Sequence, residues 1–169
     1  VPQFCGPFVI REDDTFMLDL VFGVEGYVVD AARLYTFGPP SHRVQEAHDV
    51  AIQIMEETAG AMVPGAIPED LYLKALERAR AAGLEDFFMG YGQNQVKFLG
   101  HGVGLEVDEF PVLAKRFKTP LEAGMTVAVE PKFIFGEEES AGLENTYVVQ
   151  ESGPARSLIQ GLDEIQVLG

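Results

Sequence analysis

Apolar and polar positions alternate in three different rhythms along this chain. From residue 8 to 37 the stretches "PFVI", "TFMLDLVFGV" and "GYVVDAARLYTFG" carry β-branched and aromatic residues in extended order, which predicts strands. Val24-Glu25-Gly26 lies between the last two and predicts the turn of a β-hairpin. "GPPS" then breaks the sheet, and Ser41 is placed to cap a helix. Val44, Ala47, Ala51, Ile54, Met55, Thr58 and Met62 recur at helical spacing, predicting an amphipathic helix over 41–62. A second helix is expected from Pro68, with a buried stripe of Tyr72, Ala75, Leu76, Ala79 and Ala82 and an end at Gly83. Beyond Gly90 the strand rhythm returns, with strands expected at 96–99, 103–107, 125–130, 132–136, 143–150, 156–160 and 165–168. "LEAGM" and "FGEEESAGL" read as turns, and Glu137-Glu138-Glu139 as a solvated hairpin tip.

The order is strands, two helices, strands, in one domain with no linker composition to divide it. At 169 residues with 47% apolar content the chain can bury a substantial core. Its net charge of −15 argues against nucleic acid and anionic membranes as partners. No apolar run approaches a membrane span, and no signal peptide is visible. The single cysteine, Cys5, suits a reducing cytoplasm, and no neighbouring histidine marks it as a nucleophile. The chain opens on Val1 and directly on strand-like sequence, so it reads as a piece of something longer.

Acids interrupt the apolar pattern in places that call for a reason. Asp19 sits inside "FMLDLVF", where both faces of the strand read as buried. Asp30 is flanked by Val28, Val29, Ala31 and Ala32; Glu130 follows "MTVAV"; Glu144 precedes "NTYVV". A buried, unpaired carboxylate costs several kcal/mol, so each must be neutralised, paired or turned outward. Taken singly, Glu130 and Glu144 are best placed on the wet face of a half-buried strand. Asp19 has no such face. Basic partners are scarce, with 12 Lys and Arg against 27 acids, and Arg33 is the one close by in sequence. His101 lies in "GHGVGL", where Gly100, Gly102 and Gly104 allow a ligand or second backbone to come close. Four acids and an imidazole form a set that divalent cations would satisfy. Two such ions would balance the four carboxylates, and manganese, cobalt, iron or zinc would suit the ligands.

These residues carry a resemblance. The chain resembles the catalytic domain of the pita-bread metallopeptidases, the family of methionine aminopeptidases, prolidases and aminopeptidases P. Asp19 and Asp30 stand eleven residues apart, as that family's two aspartates do. Gly26, Tyr27, Asp30 and Arg33 match its G-Y-x-x-D-x-x-R pattern, and Gly100–Leu105 matches G-H-G-[VI]-G-L. Val129-Glu130-Pro131 and Glu144-Asn145-Thr146 match its two glutamate motifs, in the family's order.

The resemblance implies an α+β pita-bread fold of curved antiparallel sheet with helices outside. Residues 1–169 would be the C-terminal portion, lacking the first helix pair. It implies two metal ions on Asp19, Asp30, His101, Glu130 and Glu144, a hydroxide between them, and Glu130 as the proton-transfer residue. The implied activity is hydrolysis of an N-terminal peptide bond, Xaa-Pro above others, on a peptide substrate, with a homodimer as an option. Lys97 and Asp108 stand where relatives of the Xaa-Pro branch carry substrate-binding histidines, and no histidine precedes Asp19. The two replacements are expected to face each other across the pocket, the alternative being that Asp108 caps a turn. A non-catalytic binding module and a hydrolase of small non-peptide amides are the competing readings.

Overall fold

The structure, a computed structural model, describes residues 9–12, 14–136 and 139–168. Cys5, Glu137 and Glu138 lie outside the described residues. The expected hairpin is formed by β1 (Thr15–Val24) and β2 (Tyr27–Phe37), and "PFVI" does not contribute to it as far as Val9 and Ile10 are described. Glu25 and Gly26 make the turn with φ of 53° and 88°, the left-handed pair that matches strand twist in a two-residue hairpin. That turn fixes the register from Thr15 opposite Thr36 to Val24 opposite Tyr27.

α1 (His42–Ala61) starts where Ser41 Oγ accepts the Val44 N–H at 3.2 Å. Every residue of the expected stripe from Val44 to Met62 is buried. α2 (Pro68–Ala81) buries Leu71, Tyr72, Ala75 and Ala79. Ala82 is exposed instead, because the helix has ended and Gly83 turns away at φ 72°.

The second half holds β3 (Phe98–Gly102), β4 (Glu109–Ala114), β5 (Thr126–Val129), β6 (Lys132–Phe135), β7 (Glu139–Gly142), β8 (Asn145–Val148), β9 (Arg156–Ser157) and β10 (Gln166–Leu168). The strand expected at 103–107 is a run of bends, and the partner of β3 is β4. "ESAG", expected as turn, is β7, paired with β6. Glu139 is no free tip: its carboxylate accepts from Arg43 of α1.

β4-β3-β5-β8-β9 form one sheet, β1-β2-β10 a second and β6-β7 a third. The core lies between these strands and the helices, with Leu34, Ile54, Met55, Leu99, Leu113, Phe133 and Leu143 fully buried. β1 is an edge strand, paired with β2 alone. Leu18, Leu20 and Phe22 are therefore 43%, 60% and 68% exposed, against the expectation that both faces are covered. Among the described residues no helix is long and apolar enough to cross a membrane.

Candidate metal centre

Three sequence segments deliver acids to one place. Within the hairpin, Asp19 pairs with Ala32 and Asp30 with Val21, so the two aspartates are diagonal neighbours on one face. The eleven-residue spacing is the spacing this register requires. β2 continues into the second half through backbone bonds between Ala32 and Glu144, N–H to carbonyl in both directions at 3.2 and 3.0 Å. Thr146 fills the next place along: its hydroxyl accepts the Asp30 N–H at 3.1 Å and donates to the Asp30 carbonyl at 2.8 Å. Arg33 donates to the carbonyls of Ala32 and Glu144 at 2.9 and 2.8 Å and to Asn145 Oδ1 at 2.7 Å. The Arg of one motif and the Asn-Thr of another thus hold Asp30 and Glu144 side by side.

His101 comes from the middle of the five-stranded sheet, between β4 and β5. Its flanking glycines serve backbone approach: a Cβ on Gly100 would run into the Ala128 carbonyl, and one on Gly102 into that of Phe110. The Glu130 N–H donates to the Leu99 carbonyl at 3.0 Å, carrying the β3–β5 pairing one residue past the strand. His101 Nδ1 lies 3.0 Å from the Gly102 carbonyl. That contact turns Nε2 toward the acids, 3.4 Å from Glu130 Oε1 and 4.0 Å from Glu144 Oε1.

Burial inverts the single-residue expectation. Glu130 and Glu144, expected on a wet face, are 8% and 1% exposed, and Asp30 is 5% exposed. Asp19, for which no wet face was expected, has a side chain 40% exposed, because it sits on the edge strand. Burial, with Asp19 nearby, raises the Asp30 pKa, and burial pushes Glu144 up to about 8. Burial works to lower His101, but the hydrogen bond to Glu130 and the Gly102 carbonyl outweigh it and bring the imidazole up to about 9. Burial would raise Glu130, yet His101 and Lys132 hold it below its ordinary value.

Lys132 carries no role in the sequence pattern, which offers Arg33 as the nearby base. It is Lys132 whose Nζ reaches Glu130, Asp19 and Glu144, at 2.8, 3.2 and 3.2 Å. No strand alternation could have signalled it, because β5 ends at Val129 and Lys132 opens β6 in another sheet. Arg33 meets backbone and Asn145 and reaches Asp163 at 3.2 Å, with none of the four acids as an ion-pair partner.

Asp30, His101 and Glu144 each offer a donor atom within 4.8 Å of the others, a separation one metal ion can span. Asp30 Oδ1 and Glu144 Oε1 are buried without a hydrogen-bond partner among the described residues, as carboxylates awaiting a cation would be. The donor set, carboxylates with one imidazole, fits the divalent ions named above.

Lys97 and Asp108 do not pair. Among the described residues no ion pair joins them, and Asp108 lies 3.6 Å from His101 Nδ1 instead. They stand at opposite ends of the β3–β4 ladder, Lys97 beside Phe98 and Asp108 before Glu109 opposite Gly102, and the five residue steps from Lys97 to Gly102 span roughly 16 Å. The turn before β4 is capped by Glu109, which accepts the Glu106 N–H at 2.7 Å, and not by Asp108. A cavity of about 250 Å³ opens beside His101, lined by Phe98, Asp108, Glu109, Phe110 and Val112 and without Lys97.

The chain is 27% identical to a Xaa-Pro dipeptidase of Pyrococcus furiosus over 147 residues, covering 87% of this chain and 40% of the relative. It is 30% identical to an uncharacterised peptidase of Bacillus subtilis over 145 residues, covering 86% and 39%. It superposes on the X-Pro aminopeptidase of Thermotoga maritima with a TM-score of 0.90 at 27% identity, over 99% of this chain and 45% of that one. It therefore spans about 40% of the length of the curated relatives it matches, and its fold is the α+β pita-bread fold of these peptidases. The model of metallopeptidase family M24 matches residues 2–151, which takes in Asp19, Asp30, His101, Glu130 and Glu144, and the chain belongs to that family.

Proposed function

We propose that this chain is the metal-binding part of a peptidase that removes N-terminal residues, with Xaa-Pro bonds as its preferred target. The observation that carries this is the convergence of Asp30, His101 and Glu144 on a space one metal ion can span, with Asp19 and Glu130 adjoining. That convergence supports a working hydrolase over a binding module or a small-amide hydrolase. The Xaa-Pro preference draws on the relatives' names.

A divalent ion held there would lower the pKa of a water molecule and polarise the scissile carbonyl. The chain's own residues supply the rest. Glu130 is kept ionised by His101 and Lys132, so it can accept a proton and return it to the leaving amine. The Gly102 carbonyl fixes the imidazole so that Nε2 points inward. The cavity beside His101 offers apolar walls from Phe98, Phe110 and Val112 to a substrate side chain or proline ring. Asp108 and Glu109 at that cavity favour the free α-ammonium of a peptide over its carboxylate.

The test is release of the N-terminal residue from Xaa-Pro and Xaa-Ala peptides by the full-length protein, with manganese and with chelator. Metal-dependent release that is faster from Xaa-Pro supports the proposal. Glu130→Gln should keep the fold and lose roughly 10²–10⁴ in kcat. Release unaffected by chelator, or none with any of the four metals, overturns it.

A further inference from the structure

Lys132 enters the centre from the start of β6, and its ammonium has three N–H donors and no acceptor. Glu130 Oε2 at 2.8 Å, Asp19 Oδ2 at 3.2 Å and Glu144 Oε2 at 3.2 Å use all of them. Its side chain is 14% exposed. The stem is seated by a glycine on the paired strand: a Cβ on Gly142 would stand 2.8 Å from Lys132 Cα and 3.1 Å from its Cγ. The lysine therefore lies in a slot between β6 and β7 that any larger residue at position 142 would close.

The two glutamates divide their oxygens. Each gives Oε2 to the ammonium and turns Oε1 toward His101 Nε2, at 3.4 Å for Glu130 and 4.0 Å for Glu144. Asp30 Oδ1 and Glu144 Oε1 are buried without a hydrogen-bond partner among the described residues, and Asp30, His101 and Glu144 each bring a donor atom within 4.8 Å of the others. One half of the cluster already has its cation. The other half brings an imidazole and two carboxylates to a separation one divalent ion can span.

We propose that Lys132 takes the place of one of the two ions, so that the protein binds a single divalent ion on Asp30, His101 and Glu144, with Glu130 beside it. This rests on the metallopeptidase reading and changes its ion count from two to one. The charges agree. Four carboxylates, one ammonium and one divalent ion leave a net −1, whereas a second divalent ion would bring two more positive charges up to a fixed ammonium. It would also compete with the ammonium for Asp19 Oδ2, Glu130 Oε2 and Glu144 Oε2.

The experiment is manganese stoichiometry of the full-length protein by elemental analysis after dialysis, with electron paramagnetic resonance of the bound ion. Wild type is expected to hold one manganese per chain with the spectrum of an isolated ion. Lys132→Met is expected to hold two, spin-coupled, a doubling, and Lys132→Arg, which keeps the charge, one. Two coupled ions in wild type would overturn the inference and leave the metallopeptidase reading standing. One ion in both wild type and Lys132→Met would overturn it too, since the lysine would not be what excludes the second. No ion in either would overturn both readings. Should Lys132→Met fail to fold, the wild-type count and coupling decide: one isolated ion sustains the proposal and a coupled pair ends it.

Discussion

Replacing Thr146 by valine tests how the centre is held. Val28, Asp30 and Ala32 turn their backbone groups away from β1, and each finds a different partner. Val28 N–H donates to the Gly104 carbonyl at 2.6 Å, Ala32 exchanges bonds with Glu144, and Asp30 has the Thr146 hydroxyl alone. Thr146 is 1% exposed, so water cannot take over. Valine keeps the side-chain volume and strands one buried N–H and one buried carbonyl. Each buried polar group left unmade costs about 1–3 kcal/mol, so the variant should lose about 2–4 kcal/mol, the carbonyl weighing less than the N–H. Thr146→Ser keeps the hydroxyl and loses a methyl, for about 1 kcal/mol. Urea unfolding of wild type and both variants, without metal, measures the difference. Manganese affinity should fall with Thr146→Val as well, because Asp30 is no longer anchored. A loss under about 0.5 kcal/mol, or serine as damaging as valine, would refute the argument that the hydroxyl replaces a strand neighbour.

Other outcomes follow from the same geometry. His101 at about 9 and Glu144 at about 8 both lie above their ordinary 6.5 and 4.5, so both bind protons more tightly folded than unfolded. The stability they add is complete below those ordinary values and is lost as pH rises through 8 and 9. Glu130, held low, has delivered its contribution by pH 6 and stays constant above it. The urea midpoint of the metal-free protein should therefore fall between about pH 6 and 9.5; a flat or rising profile contradicts the assignment. Gly100→Ala drives a methyl into the Ala128 carbonyl and should cost about 1–3 kcal/mol by forcing β3 off β5, with a lowered melting temperature as the readout. Asp108→Asn removes a charge 3.6 Å from His101 at the cavity and should raise KM for free-amine peptides roughly tenfold, the worth of one charge-assisted bond. Unchanged KM would place the substrate amine elsewhere.

Local sequence determined a good deal of this protein. The hairpin follows from a two-residue turn between apolar runs, and the helices from their 3.6-residue stripes, because both signals lie within a few residues of the backbone they shape. The five candidate ligands were legible as acids and a histidine in motifs of fixed order. Tertiary structure decided what those residues experience. Strand β7 hid inside a turn-like "GEEESAG", since its pairing with β6 owes more to the partner than to its own composition. Asp19 looked the most buried and is the most exposed of the four candidate acids, because burial depends on whether a strand is central or at an edge. Glu130 and Glu144 looked ordinary and are buried, because two sheets meet over them. Lys97 and Asp108 looked paired by their substitution pattern and sit at opposite ends of a ladder. Lys132 gained its place from Asp19 and Glu144, 113 and 12 residues away. A cation is shared among carboxylates by distance in space, and the fold alone sets that distance.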